Sequence, residues 1–363
     1  MAIAQDDPNP LAVVRPRPDA VLTAIAGSDR IDLHAAIVAL DTFPAFSEPV
    51  ARLAALLDVS PVPTAAAVAS VEGDVALTLA VLRTANRPGS PWAGRVESVV
   101  QAVALLQGEG LREALQGVPV TDYFERPEPW GLLPERMRRH ACATARAADR
   151  LAVHAGYRDR DRLVTASLLH DLGVLALAAH DPEAFAVLDA RADEGEGRVA
   201  REIAAFGIDH AAAGAMVLRA DGLPEALVRT VASHHDPSVS GEAAYVRTAD
   251  LLARESLGDE PDPAELVAAG RTIGLGWDDL RTVLFDLPDT GALPDRAVDP
   301  CPLSERELQV LVALARGSVY KQIAQELLLS TSTVRTHLHN IYGKLGAVDR
   351  AQAVLIARQR GWL

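Results

Sequence analysis

Residues 303–345 have the sequence LSERELQVLVALARGSVYKQIAQELLLSTSTVRTHLHNIYGKL, which predicts three short consecutive helices. Ser304, followed by Glu307 three residues later, predicts a capping box at the start of the first helix. Gly317 is a residue type that commonly ends a helix, and Ser330 is a suitable N-cap for the third helix. Apolar residues recur at helical spacing, so the stretch predicts a small helical domain with one shared core.

The third predicted helix has two faces of different chemistry. At about 100° per residue, its apolar side chains fall within roughly 60° of one another. They are Val334, Leu338, Ile341 and Leu345. The opposite face is polar and partly basic, and it carries Ser332, Arg335, Thr336, His339 and Gly343. Such a face is typical of a helix that enters the major groove of DNA, although periodicity alone also fits a solvated face on an ordinary helical domain.

The segments LSERELQVL, KQIAQEL, STSTVRTH and KLGAVDRAQAV resemble the LuxR-type (NarL/FixJ-like) helix-turn-helix DNA-binding domain. The resemblance covers residues 303–363 and implies that Arg335, Thr336 and His339 face the bases of double-stranded DNA. It further implies that a second set contacts phosphate or braces the fold: Lys321, Thr333, His337 and Lys344. His339 departs from the family pattern, in which Lys or Arg is frequent. The family's last helix, here 350–360, often forms a dimer contact, so a homodimer is expected, with Ala351, Val354, Leu355 and Arg358 along its seam.

Charge is distributed unevenly along the chain. The net charge is −14, yet residues 301–363 contain eight Lys and Arg against four Asp and Glu, so the preceding 300 residues carry −18. A basic module attached to an acidic body confines phosphate attraction to one end of the molecule. One hypothesis from this asymmetry is that the acidic body covers the basic recognition face.

Composition favours a mostly helical protein, because Ala and Leu dominate and aromatic residues make up 4%. The two cysteines, Cys142 and Cys301, follow no metal-binding spacing and are expected to be reduced thiols. No uninterrupted apolar run approaches the roughly 18 residues of a membrane span, and the N-terminus lacks a signal-peptide pattern. The chain is therefore expected to be cytoplasmic and without a membrane partner.

Four regions are predicted along the chain. Residues 1–30 contain several prolines and predict a loosely docked tail, residues 31–287 a helical body, 288–302 a proline-rich linker, and 303–363 the DNA-binding module. Within the body, Asp74 is expected to cap a helix, Pro224 to occupy the first position of another, 97–106 to form an amphipathic helix, and 163–178 to form one apolar helix. The pattern predicts no strands.

Histidines and aspartates form an ordered series in the body. Each lies on or at the end of a predicted helix, and they are His140, His170, Asp171, His210, His234, His235 and Asp250. Imidazole nitrogen and carboxylate oxygen together suit divalent iron, manganese or zinc, so the series is a candidate site for one or two metal ions. A single histidine is more often a hydrogen-bonded core or surface residue. His170 and Asp171, however, interrupt an apolar run, where burial is costly unless the groups are paired or bind metal.

The order H…HD…H…HH…D resembles the HD superfamily of metal-dependent phosphohydrolases. The segments LLHDLGVLAL, EIAAFGIDHAAAGAMVL, GLPEALVRTVASHHDP and RTADLLA are more closely similar to the HDOD domain. This resemblance covers about residues 40–287. It implies an all-helical regulatory domain that is usually non-catalytic.

Three departures argue against catalysis of the HD-GYP phosphodiesterase type. Val174 stands where many relatives have a lysine suited to phosphate, Arg136 stands where a trinuclear site would have a glutamate, and DPSVSGEAAY lacks a GYP-like motif. No residue is therefore assigned a catalytic role.

The expected protein is all-α: an HDOD-like bundle followed by a small four-helix LuxR-type domain. Its expected function is transcriptional regulation, with the body sensing a metal, a protein partner or a small molecule. Two alternatives stay open at this point: a metal-dependent phosphohydrolase with an attached DNA-binding module, and an interaction scaffold with a vestigial metal site.

Overall fold

The computed structural model describes residues 31–190, 197–287, 301–360 and 362–363. The predicted tail and most of the linker therefore lie outside the described residues, as do the side chains of Arg358 and Gln359. The described chain is almost entirely helical, which confirms the all-α prediction.

The body contains the following elements: α1 (Leu33–Thr42), β1 (Ala45–Phe46), α2 (Ser47–Leu57), α3 (Thr64–Val71), α4 (Val75–Asn86), α5 (Val99–Leu115), β2 (Val120–Thr121), α6 (Leu133–Ala155), α7 (Arg160–Leu169), α8 (Gly173–His180), α9 (Pro182–Asp189), α10 (Arg198–Phe206), α11 (His210–Ala220), α12 (Glu225–Ser233), α13 (Glu242–Leu257), α14 (Pro263–Thr272) and α15 (Trp277–Phe285). The C-terminal module contains α16 (Glu305–Ala315), α17 (Tyr320–Glu326), α18 (Thr331–Leu345) and α19 (Arg350–Gln359).

Local sequence signals account for several helix starts. The side chain of Asp74 accepts a hydrogen bond from the Leu77 amide at the start of α4, as predicted. Ser304 and Glu307 form the predicted capping box of α16. Pro224, in contrast, is the N-cap of α12 and not its first residue, so that prediction was wrong by one position.

Three other predictions of local structure were wrong. The apolar segment 163–178 is two helices, α7 and α8, which are separated at His170–Leu172. The helix expected over 97–106 extends to Leu115 and is interrupted at Gln107, whose backbone has φ 50° and ψ −153°. A two-residue parallel pairing joins Ala45 to Val120 and Phe46 to Thr121, where no strand was expected.

The long helix α6 organises the bundle, because α13, α7 and α15 all pack against it. Helix α8 packs between α1 and α11, and α11 packs against α12. One apolar core contains buried residues from Ile31 to Val231 and continues into the C-terminal module, whereas a second core lies mainly among α6, α7 and α13–α15. The module and the body therefore share apolar packing.

The segment Arg160–His180 is long and apolar enough to cross a membrane, which corrects the expectation that no stretch reaches this length. Within its most apolar 18 residues, 78% are buried inside the protein, where α7 and α8 pack on their neighbours. The bent pairs α3–α4 and α10–α11 pass the same test only when each pair is counted as one broken span. Burial in the bundle accounts for the apolar character of Arg160–His180.

A histidine and aspartate cluster, and an exposed basic helix

Helix ends bring the histidine and aspartate series together inside the body. His140 lies in the middle of α6, and His170 is the C-cap of α7. His210 begins α11, and His234 is the C-cap of α12. Two groups of potential metal ligands result, and they share Asp171: one with His210, His234 and His235, the other with His140 and His170. Asp250 on α13 joins the second group through its Oδ1, 3.1 Å from Nε2 of His140.

Asp171 lies at the centre of this cluster. Its Oδ1 is 3.2 Å from Nε2 of His170, 3.2 Å from Nε2 of His210 and 3.8 Å from Nε2 of His234. Its Oδ2 is 3.5 Å from Nε2 of His140. Asp171 is about one quarter exposed (24%), whereas His170 and His234 are fully buried, so the cluster is reached from solvent on the Asp171 side.

Hydrogen bonds at the far ring nitrogens orient three of the histidines. Nδ1 of His170 is 2.7 Å from the Ser167 carbonyl, and Nδ1 of His234 is 2.7 Å from the Val231 carbonyl. A carbonyl oxygen only accepts, so both Nδ1 atoms must donate, and each Nε2 of a neutral ring then presents a lone pair to the cluster. Nε2 of His234 is buried and has no hydrogen-bond partner among the described residues.

Glu202 on α10 orients the ring of His210 through its Nδ1. Its Oε2 is 2.6 Å from Nδ1 of His210 and also accepts from the His210 amide at 2.9 Å. Arg198 donates from Nε to the other carboxylate oxygen of Glu202 at 2.9 Å. A carboxylate that fixes the distal nitrogen of a histidine is a common support for metal-binding imidazoles.

Glu202 and Arg198 belong to no motif in the sequence, although Glu202 contacts His210 and Arg198 contacts Glu202. The only available signal was Glu202 itself, an acidic residue that precedes His210 by eight positions, and this spacing follows no motif. Glu202 is fully buried. Its position on an amphipathic helix did not predict this burial.

In the absence of a metal ion, burial and neighbouring charges shift the pKa values of the clustered histidines in opposite directions. Burial lowers the pKa of His234, and the neighbouring His170 and His210 lower it further, to about 3. Burial also opposes protonation of His210, but Glu202 and Asp171 outweigh it and raise the pKa to about 10. Burial would raise the pKa of Asp250, but its hydrogen bond to His140 brings it to about 2. Without a metal ion, His210 is therefore held protonated beside the carboxylates, whereas His234 is neutral.

Pairs of imidazoles approach each other closely within the cluster. Nε2 of His235 lies 2.8 Å from Nε2 of His210, and Nε2 of His140 lies 3.2 Å from Nε2 of His170. Two nitrogens at such distances need either one shared proton or a common electrophile between them. Together with the unpartnered Nε2 of His234, this donor set fits a divalent cation of the type that accepts imidazole and carboxylate ligands.

The two positions that depart from catalytic relatives contribute no ligand to this cluster. Val174 is buried in α8, at 3% exposure, and so offers no group to an anion. Arg136 donates to Asp189 at 2.5 Å, on the partly exposed side of α6 and α9.

In the C-terminal module, α18 presents its polar face to solvent. Val334, Leu338 and Ile341 are buried against α16 and α17, as the sequence predicted. Arg335, Thr336, His339, Lys321 and Lys344 are exposed, whereas Thr333 and His337 are half-buried. The body does not cover Arg335, Thr336 or His339, and the hypothesis that it occludes the recognition face is therefore wrong for this conformation.

Two of the proposed DNA-binding residues also make contacts within the module. Nζ of Lys344 is 2.7 Å from Oε2 of Glu307, the buried carboxylate of the α16 capping box. The Thr333 amide donates to Ser330 Oγ at the start of α18. Lys344 thus links the C-terminal half of α18 to the start of α16.

Two family models match separate parts of the chain. The HDOD domain model matches residues 43–237, and the model of luxR-family bacterial regulatory proteins matches residues 301–357. Among curated proteins, a probable transcriptional regulatory protein NarL from Mycobacterium tuberculosis is 35% identical over 135 residues, which are 37% of this chain and 60% of that protein. The uncharacterised regulatory protein YxjL from Bacillus subtilis is 47% identical over 60 residues, 16% of this chain and 28% of that protein. The chain thus spans less than two thirds of the length of these curated relatives.

A solved structure also resembles the body. The MmoQ response regulator from Methylococcus capsulatus superposes with a TM-score of 0.53 at 26% identity, over 68% of this chain and 99% of that one. The HDOD match covers more than half of the chain and contains six of the seven clustered histidines and aspartates, all but Asp250. The chain belongs to the HDOD family and carries a luxR-type regulatory domain at its C-terminal end.

Proposed function

We propose that this protein is a bacterial transcriptional regulator that binds specific double-stranded DNA through α18 and whose HDOD body senses a divalent metal ion. The DNA-binding half of the proposal rests on the exposed face of Arg335, Thr336 and His339, whose opposite side is buried in the module. The luxR-type match over residues 301–357 and the similarity to regulatory proteins support it.

Arg335 and Thr336 are proposed to contact bases, since arginine pairs well with guanine and threonine can pack on the thymine methyl group. His339 would lie one turn further along the groove, and Lys321 would contact phosphate. Thr333, His337 and Lys344 are proposed to hold α18 in position and to lie near the backbone of the DNA. A homodimer on a pseudo-palindromic site is proposed, with the exposed Leu355 of α19 at its seam.

The metal half of the proposal rests on one observation: three buried imidazoles whose distal nitrogens are hydrogen-bonded and whose Nε2 atoms converge on Asp171. His210, His234, His235 and Asp171 would hold one ion, and His140, His170, Asp171 and Asp250 would bind a second ion if two are present. Iron, manganese and zinc all suit these donors. A bound ion would supply positive charge among the carboxylates and, if it carried an exchangeable water, a nucleophile.

A hydrolytic function is the alternative. The almost complete ligand series favours it, whereas buried Val174 in place of a phosphate-binding lysine disfavours it. Hydrolysis of a nitrophenyl phosphodiester by the metal-loaded protein, lost in Asp171→Ala, would favour the enzyme.

The regulator is tested by selecting bound sequences from a random DNA pool with the purified full chain. An enriched sequence with two related half-sites supports the proposal. No enrichment above the input pool, with protein that is folded and metal-loaded, contradicts it. Such a regulator would act in the cytoplasm, where its DNA is.

A further inference from the structure

The start of the C-terminal module is fixed to the body at a break in α5. The Cys301 amide donates to the Ala104 carbonyl at 3.3 Å, and Nε2 of Gln107 donates to the Cys301 carbonyl at 2.6 Å. Cys301 and Leu303 are buried, at 3% and 6% exposure. These contacts, here called the latch, are two reciprocal hydrogen bonds with apolar burial around them.

The latch depends on an unusual backbone conformation. Gln107 has φ 50° and ψ −153°, a region that non-glycine residues rarely adopt unless the surrounding structure holds it. The Gln107 side chain donates to Cys301, so the same residue that breaks α5 also holds the module. Undocking the module would remove one of the contacts that hold Gln107 in this conformation.

The other end of α5 is attached to the helix that carries His170. The Val99 amide, at the first position of α5, donates to Oγ1 of Thr165 at 3.0 Å. Thr165 is fully buried in α7 and donates in turn to the Asp161 carbonyl at 3.0 Å. Five residues further along α7 is His170, whose Nε2 faces Asp171.

A continuous path thus runs from the cluster along α7, across the Thr165–Val99 hydrogen bond, along α5 and through the latch to the DNA-binding module. We infer that occupancy of the His/Asp cluster by a divalent cation strengthens docking of the module at the latch. The inference rests on the proposed metal site, because a cation bound by His170 and Asp171 would hold the end of α7 in place. The recognition face of α18 is exposed while the module is docked on the body. The latch would therefore set the orientation of α18 and not its access to DNA.

Cys301 provides a direct readout of docking. Cys301 is 3% exposed, and burial raises the pKa of its thiol to about 11, so labelling should become faster when the latch opens. The experiment uses the full chain with Cys142→Ala, which leaves Cys301 as the one thiol. Labelling by iodoacetamide is followed by mass spectrometry after chelation and after addition of Mn²⁺, and bound manganese is measured in the same samples.

We expect Mn²⁺ to slow labelling by about fivefold or more, which lies within the usual range of coupling between two sites. Thr165→Val removes the acceptor of the Val99 amide and should abolish the Mn²⁺ effect, although manganese still binds. Thr165→Ser keeps the hydroxyl and should preserve the effect. Gln107→Ala should make labelling fast under both conditions.

Equal or faster labelling in protein that has bound manganese overturns the inference. If no manganese binds, the proposed metal site fails, and the link is then tested by Asp171→Asn, which changes the cluster without a metal. A changed Cys301 labelling rate in Asp171→Asn that disappears when Thr165→Val is added supports the link. An unchanged rate contradicts it.

Discussion

Oε2 of Glu202 lies 2.6 Å from Nδ1 of His210 and fixes which nitrogen of that ring faces Asp171. The carboxylate comes from α10, and the imidazole is the first residue of α11, so the turn between the two helices sets their distance. Arg198 keeps the buried carboxylate ionised: burial alone would raise the pKa of Glu202, but His210 and Arg198 lower it to about 2. This relationship supports one ligand of the proposed metal site.

Glu202→Gln should weaken binding of Mn²⁺ by about 10- to 100-fold, the usual effect of losing a carboxylate behind a ligating histidine. The glutamine keeps the size of the side chain but no longer provides a negative charge to hold His210. Isothermal titration with Mn²⁺ would measure the change. Glu225→Gln is the matched control, because Glu225 is half exposed and pairs only with Arg219 among the contacts described. Equal affinity of Glu202→Gln and the control would refute the supporting role.

Gly173→Ala should destabilise the body and disturb the cluster. A Cβ at residue 173 would lie 1.8 Å from the His210 carbonyl oxygen and 2.4 Å from the Gly214 amide nitrogen, both of them backbone atoms. Relief requires α8 and α11 to separate, at a cost of about 1–3 kcal/mol or more in the free energy of unfolding. Urea denaturation measures this cost, with Gly343→Ala as the control, since a Cβ there meets nothing within 4 Å. A stability equal to that of the control would show that the close approach is wrong.

Arg335→Ala should reduce the affinity for the selected DNA site by about 1–3 kcal/mol and relax the preference at one base position. Lys321→Ala should instead weaken binding to all sequences alike and lower the salt dependence by about one unit of slope. Fluorescence anisotropy at several salt concentrations distinguishes the two effects. Arg281→Ala on the body controls for loss of positive charge, because Arg281 is well exposed and far along the chain from α18. If Arg335→Ala matches Arg281→Ala, the base contact is assigned to the wrong residue.

Cys142 should be unreactive in the folded protein. Burial raises the pKa of its thiol to about 11, so roughly one molecule in a thousand is thiolate at pH 8. Iodoacetamide should therefore label Cys142 very slowly at pH 8 and faster as the pH rises towards 11. In urea, Cys142 should react at the rate of a free cysteine. Rapid labelling at pH 8 without denaturant would show that this part of α6 opens readily.

The residues that define the two functional regions could be recognised from sequence because their chemistry is local. Ser304 and Glu307 form a capping box within one turn, and the two faces of α18 follow from helical spacing alone. The break at His170 could not be predicted in the same way. The apolar pattern continues across it, and Gly173, at the start of α8, packs closely on the α11 backbone, a contact that the local sequence does not specify.

Contacts between residues far apart in sequence explain the other differences between the sequence predictions and the structure. Glu202 acts on His210 through a turn whose shape no residue pattern specifies, and the conformation of Gln107 is accompanied by its contact with Cys301, 194 positions away in sequence. Charge distribution suggested that the body covers the recognition face. The docking contacts lie instead at the start of the module, where apolar burial of Cys301 and Leu303 sets the arrangement.

The most direct test of the account is the metal content of the full chain, purified without an affinity metal and measured by inductively coupled plasma mass spectrometry. The account predicts iron, manganese or zinc at near-stoichiometric amounts, with loss of that metal in Asp171→Asn and retention in His154→Ala, a surface histidine that contacts Asp279. Absence of metal from folded protein, even after incubation with each ion and removal of the excess, would contradict the account. The cluster would then be a hydrogen-bonded core of a metal-independent regulator.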